Sequence, residues 1–456
     1  MSSLNASLAT ALSGLTAEQG ALEATTNNVS NVNTPGYSRE VPVFVASDPV
    51  VIDPLTLGTG VTLQSIESIR DPILESQIQQ ETQTQGQLNA LVSALSQTQT
   101  NFSSTTGDIG TAISNFFNSV NQLSTSPADL SLRQGVVTAA DDLATAFNVA
   151  ANNLTAQRAS LDQNVGQTVG QINQLTGQIA QLNGQIANLE NVGQSAGTFV
   201  DQRTQLIDQL SSLVDVSVIP SDNSLTLTTA NGTALVAGQQ SFQLSTESTS
   251  SGVQDIYSQG SDITSTVVSG QLGGLLALRD QQIPGFQSQL DTLASGLANA
   301  VNGVQTSGYD LNGNRGTDLF KAPPASGTGA AASLSVAITD PSLIAASSDG
   351  TVGSNGNAEA LYALSNQALI QGQTPTGYYS SIVFNVGNAA ASANAEQNAS
   401  SLVLQQLNDQ RAGISGVSLD QEAANMMQYQ QAYAASAQVI TTINTMMEDV
   451  INMKTS

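Results

Sequence analysis

Two heptad stripes lie at opposite ends of the 456-residue chain. Leu4, Leu8, Ala11, Leu15, Leu22 and Val29 form the first; Leu419, Ala423, Met426, Tyr433, Ala437, Ile440, Met447 and Ile451 form the second. Steps of three, four and seven put these apolar side chains on a narrow seam, the pattern of a coiled-coil helix. Such a seam needs a second helix to cover it, so each end requires a partner: the other end, or a neighbouring molecule. That constraint favours a subunit of a polymer over an enzyme. The fold class it sets is mainly α with some β, a long helical bundle or coiled-coil shaft built from both ends of the chain, with a small β domain inserted.

Composition excludes several function classes. Charged residues are 10% of the chain and aromatics 4%, so the surface is polar but sparsely charged. With ten Lys and Arg and a formal net charge of -25, the chain repels phosphate backbones, which argues against nucleic acid as a partner. No apolar run approaches the roughly 20 residues of a membrane-spanning helix, so no membrane insertion is expected. Cys and His are absent, which removes thiol nucleophiles, Ser-His-Asp triads and imidazole chemistry. No cofactor or metal is expected. No Lys or Arg precedes Arg39 and no unbroken apolar core follows Met1, so a Sec signal peptide is not expected.

Along the chain, an inner coiled-coil helix occupies residues 1–40, running from Ser3 to Val29 and stopping in an Asn-rich segment closed by Pro35-Gly36, which fits the centre of a type II turn. Residues 41–213 form the N-terminal part of the shaft. This part opens with β-rich sequence from Val41 to Ile66 and continues with helical periodicity from Ile73 to Phe102, from Ile109 to Leu123 and from Val136 to Leu189. The last stretch implies one helix of about 60 residues, about 90 Å long. Its end repeats Gly-Gln-Ile at Gly170, Gly177 and Gly184, where helix glycines cost about 1 kcal/mol each and imply compensating close packing.

Residues 214–270 switch to period two, with Asn231-Gly232 as a hairpin signal, and read as the inserted β domain. Residues 271–413 return to the shaft, with Pro284 opening or kinking a helix, a strand expected at Leu334 to Ile338, and helices near Asn357–Ile370 and Thr376–Arg411. Gly413 to Gly416 reads as a hinge before the terminal inner helix, residues 414–456.

The first helix together with Asn27, Asn28, Asn31, Asn33, Thr34, Pro35, Gly36 and Tyr37 resembles the signature of bacterial flagellar axial proteins. Within that group, four segments are similar to the flagellar hook-associated protein 1 family. They are Asp201-Gln202-Arg203-Thr204-Gln205-Leu206, Ala230-Asn231-Gly232, Gly270-Gln271-Leu272-Gly273-Gly274-Leu275, and Ser415-Gly416-Val417-Ser418-Leu419-Asp420-Gln421-Glu422. The resemblance implies a structural subunit at the hook–filament junction of the flagellum, outside the cell, with terminal helices in an inner tube. It also implies hook protein, a second junction protein and copies of itself as neighbours, and export through the flagellar type III apparatus with a dedicated chaperone. Many relatives carry a large β insertion for which Gly316 to Ser333 leaves little room.

Other readings stand beside this one. The terminal stripes can pair within one molecule, although Glu18 and Thr25 in the first and Gln430 and Asn444 in the second put polar groups on the seams, and these need partners. Asp310 to Gly316 has the look of a calcium loop. However, glycine misses the sixth position and Lys321 stands where a bidentate Glu belongs, so a turn is the better reading. Met426-Met427 and Met446-Met447 fit either an adaptable groove or seam packing. A filament or hook subunit is the rival structural reading, and a wall-acting glycosidase with paired carboxylates is a remote one, since no motif brings two acids together.

Overall fold

The computed structural model describes residues 2–52, 55–102, 108–221, 224–249 and 252–455. Helix α1 spans Ser2–Ser30 and the last helix, α11, spans Leu419–Thr455. The two pack against each other along their lengths, as the seams require. Between α1 and the shaft lie β1 (Glu40–Ala46), β2 (Val50–Ile52), β3 (Leu55–Leu57) and β4 (Val61–Ser68). β1 pairs antiparallel with β4, with a register shift at Val43/Phe44, and both strands lie on α1.

The shaft begins with α2 (Pro72–Phe102), α3 (Ile109–Thr125), α4 (Leu130–Asn191) and α5 (Gly197–Leu213). Its boundaries have chemical causes. Asp108 caps α3 by accepting from Thr111 N at 2.9 Å, and Asp129 caps α4 by accepting from Ser131 N at 2.7 Å. α4 is the 62-residue helix that the periodicity implied, with Ile172, Ile179 and Ile186 buried along one face. The heptad glycines differ from expectation. A Cβ at Gly170 or Gly177 would meet nothing within 4 Å, and only Gly184 is approached, by Gln239. The first two lie away from the isoleucine seam, so no packing offsets their cost.

Seven short strands follow: β5 (Ser217–Ser221), β6 (Ser224–Thr228), β7 (Ala234–Ala237), β8 (Gln240–Ser241), β9 (Leu244–Ser248), β10 (Gln254–Ser258) and β11 (Ser261–Asp262). They form two antiparallel sheets, β5-β6-β7-β8 and β11-β10-β9. Gly232, at φ 85°, makes the β6–β7 hairpin that Asn231-Gly232 signalled. Both sheets lie against α4, whose polar side chains tie them down. Asn173 exchanges two 2.8 Å bonds with the Leu244 backbone, Asn183 donates to Gly238 O at 2.7 Å, and Asp162 accepts from Gln254 N at 2.8 Å. Leu225, Leu227, Leu235, Val236 and Ile256 join the helical core.

α6 (Gly270–Ala277) runs through one π turn (Leu278–Gln282) into α7 (Ile283–Ser307). Pro284 therefore opens a helix that is already in progress. Ile283 N–H reaches back five residues to Leu278 O, and the widened turn accommodates a residue that lacks a donor. After the four-residue α8 (Ala330–Ser333), the expected strand at Leu334–Ile338 is absent. Only a bridge between Phe320 and Val336 forms, through Lys321 N to Ser335 O and Ala337 N to Leu319 O. The alternation that suggested a strand comes from Leu334 and Ile338 plugging the core, while Asn302 of α7 holds the opposing Leu319–Phe320 backbone. α9 (Gly356–Ala363) and α10 (Pro375–Ser415) complete the shaft. α10 continues through Gly413, so the break before α11 is only Gly416-Val417-Ser418.

Candidate assembly interface

The seam between α1 and α11 is built from small residues as much as from leucines. Ala11, Ala17, Ala21, Ala24, Thr25 and Asn28 are the buried positions of α1, and Gly14 brings its backbone close to Ser436 of α11. Gly20 faces Leu63 of β4 with no room for a Cβ, so α1 is held between α11 and the β1–β4 hairpin. The predicted leucines Leu4, Leu8, Leu15 and Leu22, with Val29, lie beside this small-residue line and stay half-buried.

On α11 the fully buried side chains are Glu422 and Ile443, with Met426, Tyr429, Ala437, Ile440 and Met447 partly covered. Of the predicted seam, Met426, Ala437, Ile440 and Met447 face inward, whereas Leu419, Tyr433 and Ile451 are exposed, Ile451 by 57%. At 3.6 residues per turn the apolar surface of α11 is wider than one partner helix covers. Val439, Met446, Val450 and Met453 lie open along one flank of the covered line, and Leu419, Tyr433 and Ile451 along the other. Gln430 and Asn444 are exposed and Thr25 donates to its own helix at Ala21 O, so of the polar seam residues only Glu18 keeps a buried oxygen without a partner. Burial raises the Glu18 pKa.

The Asn-rich motif anchors this pair to the shaft. Asn28 donates to Glu40 O at 2.8 Å and to Glu422 at 3.2 Å, and its oxygen accepts from Glu40 N at 2.8 Å and from the Tyr37 hydroxyl at 3.0 Å. Arg39 pairs with the buried Glu422 at 2.9 Å and its N–H donates to Ser415 O, the last residue of α10. One side chain of α1 thus fixes α11, β1 and the turn that joins α1 to β1. Asn31 accepts from Thr34 and donates to Asn27 O, which shapes the loop, and Asn27 and Asn33 are exposed. The Thr34–Tyr37 turn has its 3.2 Å bond and Gly36 at φ 76°, as the type II reading requires. A Cβ on Gly36 would strike Gln205 of α5, whose amide donates to Pro35 O.

Ser38 N donates to Asp201, which pairs with Arg70. Desolvation, with the Asp201 charge second, raises the Glu40 pKa; desolvation, with nearby carboxylates second, raises that of Tyr37. Sequence reasoning missed Glu422, Tyr429 and Ile443, although their seven-residue spacing was in plain sight. It also missed the Ala17-Ala21-Ala24 line, because alanine weighs little in a search for leucines.

Among the described residues no group of three or more His, Cys, Asp or Glu is placed to hold a metal, and no helix is long and apolar enough to cross a membrane. Paired terminal helices and an Asn-anchored turn are thus joined to a long helical shaft. The model for the flagellar hook-associated protein FlgK helical domain matches residues 95–320. Those for the flagellar basal body rod FlgEFG protein C-terminal region and the flagella basal body rod protein match residues 411–453 and 8–37.

Flagellar hook-associated protein 1 of Bacillus subtilis (strain 168) is 30% identical over 99% of this chain and 99% of its own length. That of Escherichia coli (strain K12) is 28% identical over 97% and 99%. The latter alignment spans 541 positions, so that relative carries stretches this 456-residue chain lacks. The solved flagellar hook junction protein FlgK from Burkholderia pseudomallei shares the fold, with a TM-score of 0.67 over 74% of this chain and 100% of that one, at 20% identity. The chain belongs to the flagellar hook-associated protein 1 family, structural proteins of the hook–filament junction of the bacterial flagellum.

Proposed function

We propose that this chain is built into the junction through α1 and α11, each open flank of α11 receiving a helix from an adjoining subunit of the same tube. The observation that carries this reading is the width of the apolar surface. α1 covers only its centre, and Val439, Met446, Val450 and Met453 on one side and Leu419, Tyr433 and Ile451 on the other are left in water. Exposed apolar surface of this extent is characteristic of interaction sites. The half-buried Leu4, Leu8, Leu15, Leu22 and Val29 complete the same surface from α1. Copies of this chain, hook protein and the second junction protein are the neighbours that supply those helices. Before assembly, a cytoplasmic chaperone shields the Met-rich face of α11, and the chain leaves through the flagellar export apparatus. Its role is mechanical and needs no catalytic chemistry.

Deletion of the gene followed by microscopy tests the role: hooks without filaments, with filament protein lost to the medium, support it, and normal filaments refute it. Purified protein separates this subunit from a filament or hook subunit. A junction protein forms short, limited zones, and long fibres formed by the chain alone would favour the rival.

A further inference from the structure

Outside the seam, a second cluster sits where the last turns of α10 meet the shaft. Arg411 of α10 faces two carboxylates, Glu75 of α2 at 3.6 Å and Asp208 of α5 at 3.5 Å. Both separations are longer than a well-formed charge-assisted hydrogen bond. Glu75 Oε2 and Asp208 Oδ1 are buried with no hydrogen-bond partner. Two acids therefore share one cation, leaving the triad one negative charge in excess when both are ionised.

We infer that Glu75, Asp208 and Arg411 form a proton-operated clasp on the end of α10, closed when one carboxyl is protonated and loosened when both are charged. A proton makes the triad neutral and supplies the donor that the orphaned oxygens lack. Without it, like charges repel across the α2–α5 contact against a single guanidinium. Asp208 titrates in the range this requires: burial first, and Glu75 second, push it up to about 7, against the pull of Arg411 and Gln79. Of the charged groups around it, Asp201 pairs with Arg70 and also feels the Arg411 charge, Glu40 lies beyond Asp201, and Glu422 pairs with Arg39. Water reaches the triad through a cleft of about 190 Å³ lined by Tyr37, Gln205, Asn408 and Val417.

The location gives the clasp a consequence. Arg411 lies one turn before Ser415, whose carbonyl holds Arg39 N, and just ahead of the Gly416-Val417-Ser418 break into α11. Loosening the end of α10 frees the base of the terminal helix. The sign is fixed by the raised carboxyl: the closed state holds more protons, so its stability is full below the ordinary carboxylate range and is lost as pH rises through about 7.

Amide exchange of residues 404–415 in the full-length chain, corrected for intrinsic rates, tests this between pH 5.5 and 8. Wild type is expected to lose protection roughly tenfold or more across that range. D208N is expected to show a flat profile, and E75Q to shift the midpoint down by removing the repelling charge. A flat wild-type profile, or an unchanged slope in D208N, overturns the clasp. If D208N does not fold, the E75Q midpoint decides, and a midpoint that stays put or rises overturns it.

Discussion

Replacing Asn28 by Ala removes the acceptor for Tyr37 and Glu40 N and the donor to Glu40 O and Glu422, leaving buried groups unpaired at a cost of about 1–3 kcal/mol each. Loss of α1 protection against proteolysis, with the α4 core intact, is the expected reading for N28A. Asp215 offers a pH test. It is 1% exposed, one of its oxygens lacks a partner, and burial pushes its carboxyl up to about 6 despite the bond from Ala230 N. A raised carboxylate favours the folded state at low pH and ceases to do so as pH rises through 6. Relative to D215N, wild type should therefore lose roughly 2–3 kcal/mol of unfolding free energy between pH 4 and 8. Parallel denaturation curves at the two pH values would contradict this. At this scale the sequence revealed the identity of the motif but not its wiring. Asn28 and Tyr37 stood out as part of an Asn-rich turn, whereas Glu422, which accepts from Asn28, lies nearly four hundred residues away and nothing local to either residue joins the two.

Among the elements, those whose cause is local were legible. The stop of α1, the length of α4, the turn at Gly36 and the hairpin at Gly232 follow from breakers, glycines and period. The strand expected at Leu334–Ile338 failed because period two reports alternate burial, which a loop tucked under α7 also produces. The heptad glycines failed for a related reason, since a repeat at seam spacing does not say which face it occupies. Because Gly170 and Gly177 point into open space, G170A and G177A should each stabilise the protein by about 0.5–1 kcal/mol in denaturant titrations. G86A should do the reverse, as its Cβ would sit 2.0 Å from Ser212 O. If all three behave alike, the assignment of open and closed faces is wrong.

For the whole molecule, two unlike kinds of burial are joined where Pro35, Ser38 and Arg39 meet Gln205, Asp201 and Ser415 of the shaft. The shaft has a continuous core from Leu95 through α4 and the sheets to Ala393. The terminal pair has small-residue contacts and open apolar flanks, so less of its helical surface is fixed by burial than in the shaft. Changing Met446 and Val450 to Ser should leave the shaft's unfolding transition within about 0.5 kcal/mol of wild type, while reducing incorporation into the junction. The sequence showed that each end needs a partner. It could not show that α11 needs more than one, because the width of a stripe appears only once α1 is in place. The most direct test compares amide exchange of residues 4–29 and 419–453 in the free subunit and in the assembled junction. Weaker protection when free than when assembled is expected, with α4 equally protected in both. Protection of residues 4–29 in the free subunit equal to that of α4 would contradict a surface completed only by neighbours.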